Sequence, residues 1–204
     1  MMKLDELFEM PQLEPKELST IYSGAVRRFN SQQTIDVKYD ILSTFGKYLI
    51  GISKDKSFAF IGETGTREDG VNGAFVLGTI DFKKPLNISS LEHVEAPDHV
   101  LQVDGVELAK KYQRDGLGYL LYLGLIKAGY IVISDNLQYL GGQAIWKKIA
   151  KLAVNNDYKV YISDDTELRM KDGKPEVYDG SNIDDAEIWT TNKSKVYTLL
   201  VAKK

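Results

Sequence analysis

Apolar residues alternate with polar ones through the first half of the chain, and this alternation predicts β-strands. From residue 34 to residue 41 the apolar positions are Ile35, Val37, Tyr39 and Ile41. Three further apolar stretches predict strands over residues 48–52, 57–61 and 73–82. The first two enclose a short polar turn and predict a hairpin, while a polar loop over residues 63–72 precedes the third. Residues 34–82 are therefore predicted to form an antiparallel meander.

The second half of the chain alternates strands with helices, which predicts a mixed sheet. A strand over residues 100–109 is interrupted at Asp104 and Gly105, where a turn or a bulge is expected. Leucines at spacings of three and four predict a helix that starts at Gly116 and ends at Gly129. The later elements are predicted as a buried strand over residues 130–134, a helix over 142–154, and strands over 158–162 and 195–202. We predict one α/β domain over residues 34–204, preceded by an N-terminal arm over residues 1–33.

Composition narrows the classes of protein. The 204 residues carry a formal net charge of −3, so an extended nucleic-acid surface, which needs clustered lysine and arginine, is not expected. The chain has no cysteine, which excludes disulfides, thiolate metal sites and a cysteine nucleophile, and fits a cytoplasmic location. No apolar run approaches the roughly 18 residues of a membrane span, so no membrane partner is expected. Two histidines, His93 and His99, are too few for a histidine-rich metal site.

Residues 113–118, with the sequence Gln-Arg-Asp-Gly-Leu-Gly, join the predicted strand to the predicted helix. A strand-to-helix loop exposes backbone N–H groups at a helix N-terminus, where the helix dipole also favours an anion. Gly116 and Gly118 would let a phosphate approach the backbone closely, and Arg114 would add a charged hydrogen bond. A plain tight turn is the alternative explanation of the two glycines. A dinucleotide-binding fold fits less well, because its fingerprint needs a third glycine.

The same six residues resemble the Gln/Arg-x-x-Gly-x-Gly/Ala motif of the GNAT family of N-acetyltransferases. Residues 108–112 stand where that family has the strand that leads into its loop, and residues 117–122 resemble the helix that follows. The chain also resembles a bacteriophage-type branch of acetyltransferase-like proteins further along, at residues 129–135, Gly141, Gly142 and Trp146.

This resemblance implies a fold and a co-substrate. The expected fold class is α/β, with a GNAT-like mixed, mostly antiparallel sheet flanked by helices and a splayed pair of parallel strands. The expected co-substrate is acetyl-CoA, whose pantetheine would lie between the splayed strands and pair with their free backbone groups. The residues that the resemblance assigns to acetyl-CoA binding are Leu108, Ala109, Lys110, Gln113, Arg114, Asp115, Gly116, Leu117, Gly118 and Tyr119. Asp115 departs from the pattern, because it places a negative charge within a loop expected to bind an anion.

The implied activity is transfer of an acetyl group to a primary amine of a small molecule or a protein, in the cytoplasm or, for a phage-encoded protein, in the host cytoplasm. An amine attacks only in its neutral form, so a carboxylate would remove its proton, directly or through water. A backbone N–H near Leu108 would stabilise the developing oxyanion. In the family a tyrosine on the second helix commonly protonates the leaving thiolate, but the best match here is Trp146, whose indole cannot act as an acid.

Four side chains are candidates for the acid and the base, and each has a structural alternative. Glu107 lies on the strand before the loop, where a solvated or ion-paired glutamate is the alternative to a general base. Asp104 stands beside a glycine and is either a turn residue or a base. Asp135 ends the short apolar strand, where it either caps the following helix or takes part in the chemistry. Tyr139 is either a packing residue at the start of the second helix or the acid.

The acceptor and the activity itself stay open at the level of sequence. Residues 164–187 contain nine acidic residues and three basic ones, Arg169, Lys171 and Lys174. Such a segment is usually only solvated. If it borders the cleft that binds the acceptor, its negative charge would favour a cationic acceptor. The alternative to an enzyme is a catalytically silent protein of the same fold that acts as a binding or inhibitor protein in a phage–host setting. Trp146, Asp115 and the absence of a clear base favour this alternative.

Overall fold

The computed structural model of the chain describes residues 28–84, 99–113, 115–135, 140–153, 155–164, 167–189 and 198–203. Within these ranges the fold is α/β, built on a mixed, mostly antiparallel sheet. The strands are β1 (Phe29–Ser31), β2 (Tyr39–Phe45), β3 (Tyr48–Ser53), β4 (Phe58–Thr66), β5 (Asn72–Lys83), β6 (Val100–Leu108), β7 (Ile131–Ile133), β8 (Lys159–Asp164), β9 (Glu167–Leu168), β10 (Met170–Lys171), β11 (Lys174–Pro175) and β12 (Thr198–Lys203). The helices are α1 (Gln32–Lys38), α2 (Leu117–Lys127), α3 (Leu140–Ala153) and α4 (Asp185–Ile188).

The first half of the sheet is the predicted antiparallel meander. Strands β2 to β6 pair in chain order with antiparallel neighbours, and β3 with β4 forms the predicted hairpin. The predicted loop over residues 63–72 is wrong in its length, because β4 continues to Thr66 and β5 begins at Asn72.

The strand predicted from residue 34 is wrong in its first part, because residues 32–38 form helix α1. Ser31 caps this helix, with its Oγ accepting a hydrogen bond from the Thr34 N–H at 3.3 Å. Ile35 is 1% exposed and packs on the sheet, whereas Val37 is 64% exposed. The two residues alternate in sequence without sharing a buried face, and β2 begins only at Tyr39.

Part of the predicted N-terminal arm is described. Residues 29–31, which precede the predicted domain boundary at residue 34, form β1 and pair antiparallel with β5. Residues 1–27 lie outside the described part of the chain.

The second half of the sheet begins with the parallel pair β6 and β7. Strand β12 lies antiparallel between β7 and β8, and β9 follows β8. Helix α2 ends where Gly129 takes a left-handed φ of 92°, as predicted. The predicted irregularity in β6 is a bulge: Val103 pairs with Phe82 and Gly105 with Asp81, so Asp104 is the extra residue.

The two faces of the sheet carry different helices. Side chains of Ala59, Ile61 and Ile80 point into the main core with α2 and α3, and we call this side the α2 face. Phe60 lies between Ala59 and Ile61 in β4, so it points the opposite way, into a small cluster with Ile35 of α1. We call this second side the α1 face.

Candidate functional site

The parallel pairing of β6 with β7 stops well before β6 ends. The paired residues are Val100 with Ile131, Leu101 with Val132 and Gln102 with Ile133. Strand β7 ends there, whereas β6 continues to Leu108, and no described strand pairs with this edge of β6 beyond Gln102. Val106 is accordingly 36% exposed, although Ile80 directly across from it in β5 is fully buried. Among the described residues this edge of β6 is therefore unpaired beyond Gln102, and we call the space beside it, on the side of β7, the β6–β7 gap.

Hydrogen bonds on the other edge of β6 decide which backbone groups face this gap. The Ala109 N–H donates to the Leu77 carbonyl at 2.8 Å, so the odd-numbered residues of 105–109 direct their N–H groups toward β5. Because these groups alternate along an antiparallel strand, the N–H groups of Val106 and Leu108 point into the β6–β7 gap. Two donors are thus placed where an added extended segment would pair with them.

The N-terminus of α2 lies at the end of the gap. Gly116 precedes the helix with a left-handed φ of 75°, a conformation that costs a non-glycine residue about 1–2 kcal/mol. The first bond inside the helix runs from the Leu120 N–H to the Gly116 carbonyl at 3.1 Å. The N–H groups of Leu117, Gly118 and Tyr119 therefore have no acceptor within the helix. Together with the helix dipole they favour an anion at this position.

Gly118 serves packing in addition to any contact with a ligand. A Cβ at this residue would lie 2.8 Å from Ile145 Cδ1 in α3 and 3.3 Å from Leu108 Cδ1 in β6. The glycine thus brings α2, α3 and β6 close together at the end of the gap. Leu117 is 1% exposed, so its side chain belongs to the core.

The residues before Gly116 differ in which of their polar groups already have hydrogen-bond partners. Ala109 uses its N–H as described, and its carbonyl accepts from the Tyr112 N–H at 2.7 Å. The Gln113 side-chain amide donates to the Leu108 carbonyl at 3.3 Å. Lys110 and Asp115 are exposed to solvent. Arg114 lies outside the described residues, so its predicted contact stays a prediction.

Glu107 lies on the α1 face, across from Thr79, which in turn pairs with Phe60. This is the face opposite Val106 and Leu108, as strand alternation predicts. Its Oε2 is buried without a hydrogen-bond partner in the described part of the chain. Burial, with a contribution from the negative charge of Asp81, raises the pKa of Glu107 above its ordinary value of 4.5.

Asp81 is a further carboxylate that the sequence did not single out. Asp81 in β5 pairs with Gly105 in β6. On the α1 face this pair lies next to the pair of Thr79 and Glu107. Burial and the neighbouring Asp104 raise the pKa of Asp81 above 3.8. Polar residues at 79, 81 and 83, alternating with buried Ile80, were the signal that could have marked this face.

Asp135 is held by an ion pair at the mouth of the gap. Its Oδ1 lies 2.5 Å from Lys83 Nζ, which also lies 3.8 Å from Asp104 Oδ1. Lys83 is paired across the sheet with Gln102, the residue at which the parallel pairing stops. Asp135 is thus close to the predicted site, and a cation already occupies its carboxylate. The helix cap proposed for Asp135 would act on residues 136–139, which lie outside the described residues.

The two aromatic candidates have separate outcomes. Trp146 is fully buried and packs edge-on against Tyr122, with ring centroids 5.4 Å apart. Its Nε1 has no hydrogen-bond partner in the described part of the chain. It is a core residue and supplies no acid. Tyr139 lies outside the described residues, so its predicted role stays a prediction.

Within the acidic segment over residues 164–187, strand β9 lies far from β6 in the sheet, whereas α4 contacts α3 through the ion pair of Asp185 with Lys147. Its first strand, β9, is separated from β6 by β7, β12 and β8, about 19 Å at the usual strand spacing. Basic residues within the segment pair with its own acids, as in the contacts of Arg169 with Glu187 at 3.3 Å and Lys171 with Glu176 at 3.8 Å. Its strand therefore does not border the gap.

No second candidate site stands out elsewhere in the described part of the chain. An open cavity of about 580 Å³ lies beside β1 and α1, but its one charged lining residue, Arg67, is paired with Asp69. Among the described residues there is no group of three or more metal-binding side chains, and no helix is long and apolar enough to span a membrane. No family model, curated protein or solved structure matches the chain.

Proposed function

We propose that this protein is an acetyl-CoA-dependent N-acetyltransferase with a GNAT-like fold. The observation that carries the proposal is the β6–β7 gap, which runs directly to the N-terminus of α2. A gap with strand-like donors suits pantetheine, which is an extended chain with two amides, and a helix N-terminus suits a diphosphate. One ligand that joins these two chemical groups in this order is acetyl-CoA. Because acetyl-CoA is an intracellular metabolite, the proposal places the protein in the cytoplasm, or in the host cytoplasm if it is phage-encoded.

The cofactor would lie along the edge of β6. Its diphosphate would accept from the N–H groups of Leu117, Gly118 and Tyr119, and a pantetheine amide would accept from the Leu108 N–H. The acetyl group lies farther from α2 than the pantetheine does, so its carbonyl would lie near the Val106 N–H, two residues before Leu108, which is placed to stabilise the oxyanion of the tetrahedral intermediate. Burial of Leu117 and the close packing at Gly118 fix the helix that supplies these donors.

The acceptor amine would approach from the α1 face. Its nitrogen forms a bond to the thioester carbonyl carbon, and the carbon–sulfur bond then breaks to release the CoA thiolate. Glu107 is on this face and is our candidate for the base that takes the amine proton. Its raised pKa moves it toward the working range of a general base. Asp135 and Asp104, both bound to Lys83, are better suited to holding the mouth of the gap than to proton transfer.

A second candidate is a catalytically silent protein of this fold that binds a partner. The full burial of Trp146 favours it, because the position that the resemblance assigns to the acid holds a core side chain. An acid is not obligatory, however, since a thiolate is a good leaving group at neutral pH, with a pKa of about 8.5 for a cysteine-like thiol. The two candidates therefore differ in one measurable property, which is turnover.

The test is release of free CoA thiol from acetyl-CoA in the presence of a panel of amines. The panel contains a polyamine, an aminoglycoside and a lysine-containing peptide. An enzyme releases thiol with at least one of them, at a rate that depends on the amine concentration. Binding of acetyl-CoA with no release above the rate of spontaneous hydrolysis would support the silent protein instead.

A further inference from the structure

One amine of the protein itself lies at the mouth of the β6–β7 gap. Lys83 is in β5, two residues after Asp81, so its side chain lies on the α1 face, the side from which the acceptor is proposed to approach. Its Nζ lies 2.5 Å from Asp135 Oδ1 and 3.8 Å from Asp104 Oδ1. Asp104 belongs to β6 and Asp135 follows the end of β7, so the amine is held between the two strands that flank the gap.

The thioester end of the bound cofactor would be within reach of this amine. The acetyl carbonyl is placed near the Val106 N–H, and Val106 follows Asp104 by two residues, about 7 Å along an extended strand. The flexible four-carbon stem of a lysine can cover such a distance by rotation about its single bonds. The Lys83 side chain is 33% exposed, so the core does not fix its conformation.

We propose that Lys83 is a site of self-acetylation, at which the protein transfers the acetyl group of its bound acetyl-CoA to its own Lys83 Nζ. This inference rests on the proposed function and adds to it an acceptor within the chain. The ammonium first loses a proton to Glu107, the base proposed on this face, directly or through water. The neutral nitrogen then forms a bond to the thioester carbonyl carbon, and the carbon–sulfur bond breaks to release the CoA thiolate. Acetylation removes the positive charge of Lys83, and with it both ion pairs.

The experiment is incubation of the full chain with acetyl-CoA, followed by peptide mass spectrometry that gives the rate of acetylation at each lysine. Lys47 is the matched control, because it is also ion-paired, with Glu63 at 2.7 Å, but lies in the turn between β2 and β3, away from the gap. Because the bound thioester is held close to Lys83, we expect Lys83 to be acetylated at least about tenfold faster than Lys47. Acetic anhydride needs no binding site and should instead favour Lys47, whose side chain is 59% exposed.

Two variants and a dilution series identify the route of the acetyl group. Lys83→Arg keeps the positive charge but removes the acceptor nitrogen, so the fast acetylation should disappear. Glu107→Gln should slow it at least about tenfold, because the amine loses its base. The rate per chain should not depend on protein concentration, and about one CoA thiol per chain should be released without any added amine, as expected of a transfer within one molecule.

Three results would overturn self-acetylation at Lys83. They are equal rates at Lys83 and Lys47 with acetyl-CoA, the same preference for Lys83 with acetic anhydride, and a rate per chain that rises in proportion to protein concentration. Each of them leaves the proposed function standing if the same preparation binds acetyl-CoA saturably in calorimetry. Failure of the native protein to bind acetyl-CoA at all would overturn both.

Discussion

Gly78 tests whether the wall of the β6–β7 gap is packed as described. It lies in β5 directly across from Leu108, and a Cβ there would lie 2.3 Å from Leu108 Cδ2 and 2.9 Å from the Glu107 carbonyl oxygen. Alanine at this position forces Leu108 to move. Overpacking of this kind costs about 1–3 kcal/mol, partly offset by up to about 1 kcal/mol because alanine restricts the unfolded chain. We expect Gly78→Ala to lower the free energy of unfolding by about 1–2 kcal/mol.

The assay is thermal unfolding combined with titration of acetyl-CoA. For a chain of this size the expected loss lowers Tm by roughly 2–8 °C. The Kd for acetyl-CoA should also rise, because Leu108 carries one of the donors that face the gap. Gly105→Ala is the matched control, since it lies in the paired strand and a Cβ there meets nothing within 4 Å.

A double-mutant cycle separates this contact from a general loss of stability. Leu108→Ala removes the side chain that collides with the new methyl group, so the two changes together should cost less than the sum of their separate costs. Some cost remains, because the Glu107 carbonyl contact is unaffected. Equal stability of Gly78→Ala, Gly105→Ala and the native protein would refute the packing of Leu108 over Gly78.

Two further predictions concern the carboxylates of the α1 face. Glu107→Gln should lower kcat by at least about 100-fold with little change in the Kd for acetyl-CoA. It should also abolish the rise of kcat with pH that ionisation of Glu107 causes. An unchanged pH profile of kcat would exclude Glu107 as the base. The raised pKa of Asp81 means that the folded state binds its proton more tightly than the unfolded state, so stability is lost as pH rises from the ordinary value of 3.8 through the raised value. Asp81→Asn should therefore increase the free energy of unfolding at pH 7 relative to the native protein, and this gain should shrink at pH 3. Urea unfolding at the two pH values checks it, and a gain that is larger at pH 3 would contradict the reasoning.

The sequence was a good guide where the signal is local. Buried strands such as β7, and helix α2 with its glycine at each end, follow from apolar spacing and from glycines with positive φ. Helix α1 was missed because only Ile35 of its apolar residues is fully buried. A helix with one buried residue has no apolar stripe, and the neighbouring Val37 happens to continue the period of a strand. Ser31 caps this helix, but a single N-cap residue is a weaker signal than alternation.

The candidate site was predictable only where it is contiguous. Residues 113–118 could be found because strand, loop and helix N-terminus follow one another in the chain. Asp81 and Lys83 reach the neighbourhood of β6 from β5, and their positions depend on strand register. The acidic segment shows the converse, since its charge was evident in the sequence but its position was not. Strand order separates β9 from the gap.

The central claim is that the β6–β7 gap and the N-terminus of α2 form one binding site for acetyl-CoA. Calorimetric titration of the full chain with acetyl-CoA tests it most directly, with acetate and inorganic phosphate as controls for its separate parts. The account predicts saturable binding of one acetyl-CoA per chain with a Kd below about 1 mM, the range in which enzymes meet their substrates, and much weaker binding of either control. No saturable binding of acetyl-CoA at millimolar concentration would contradict it.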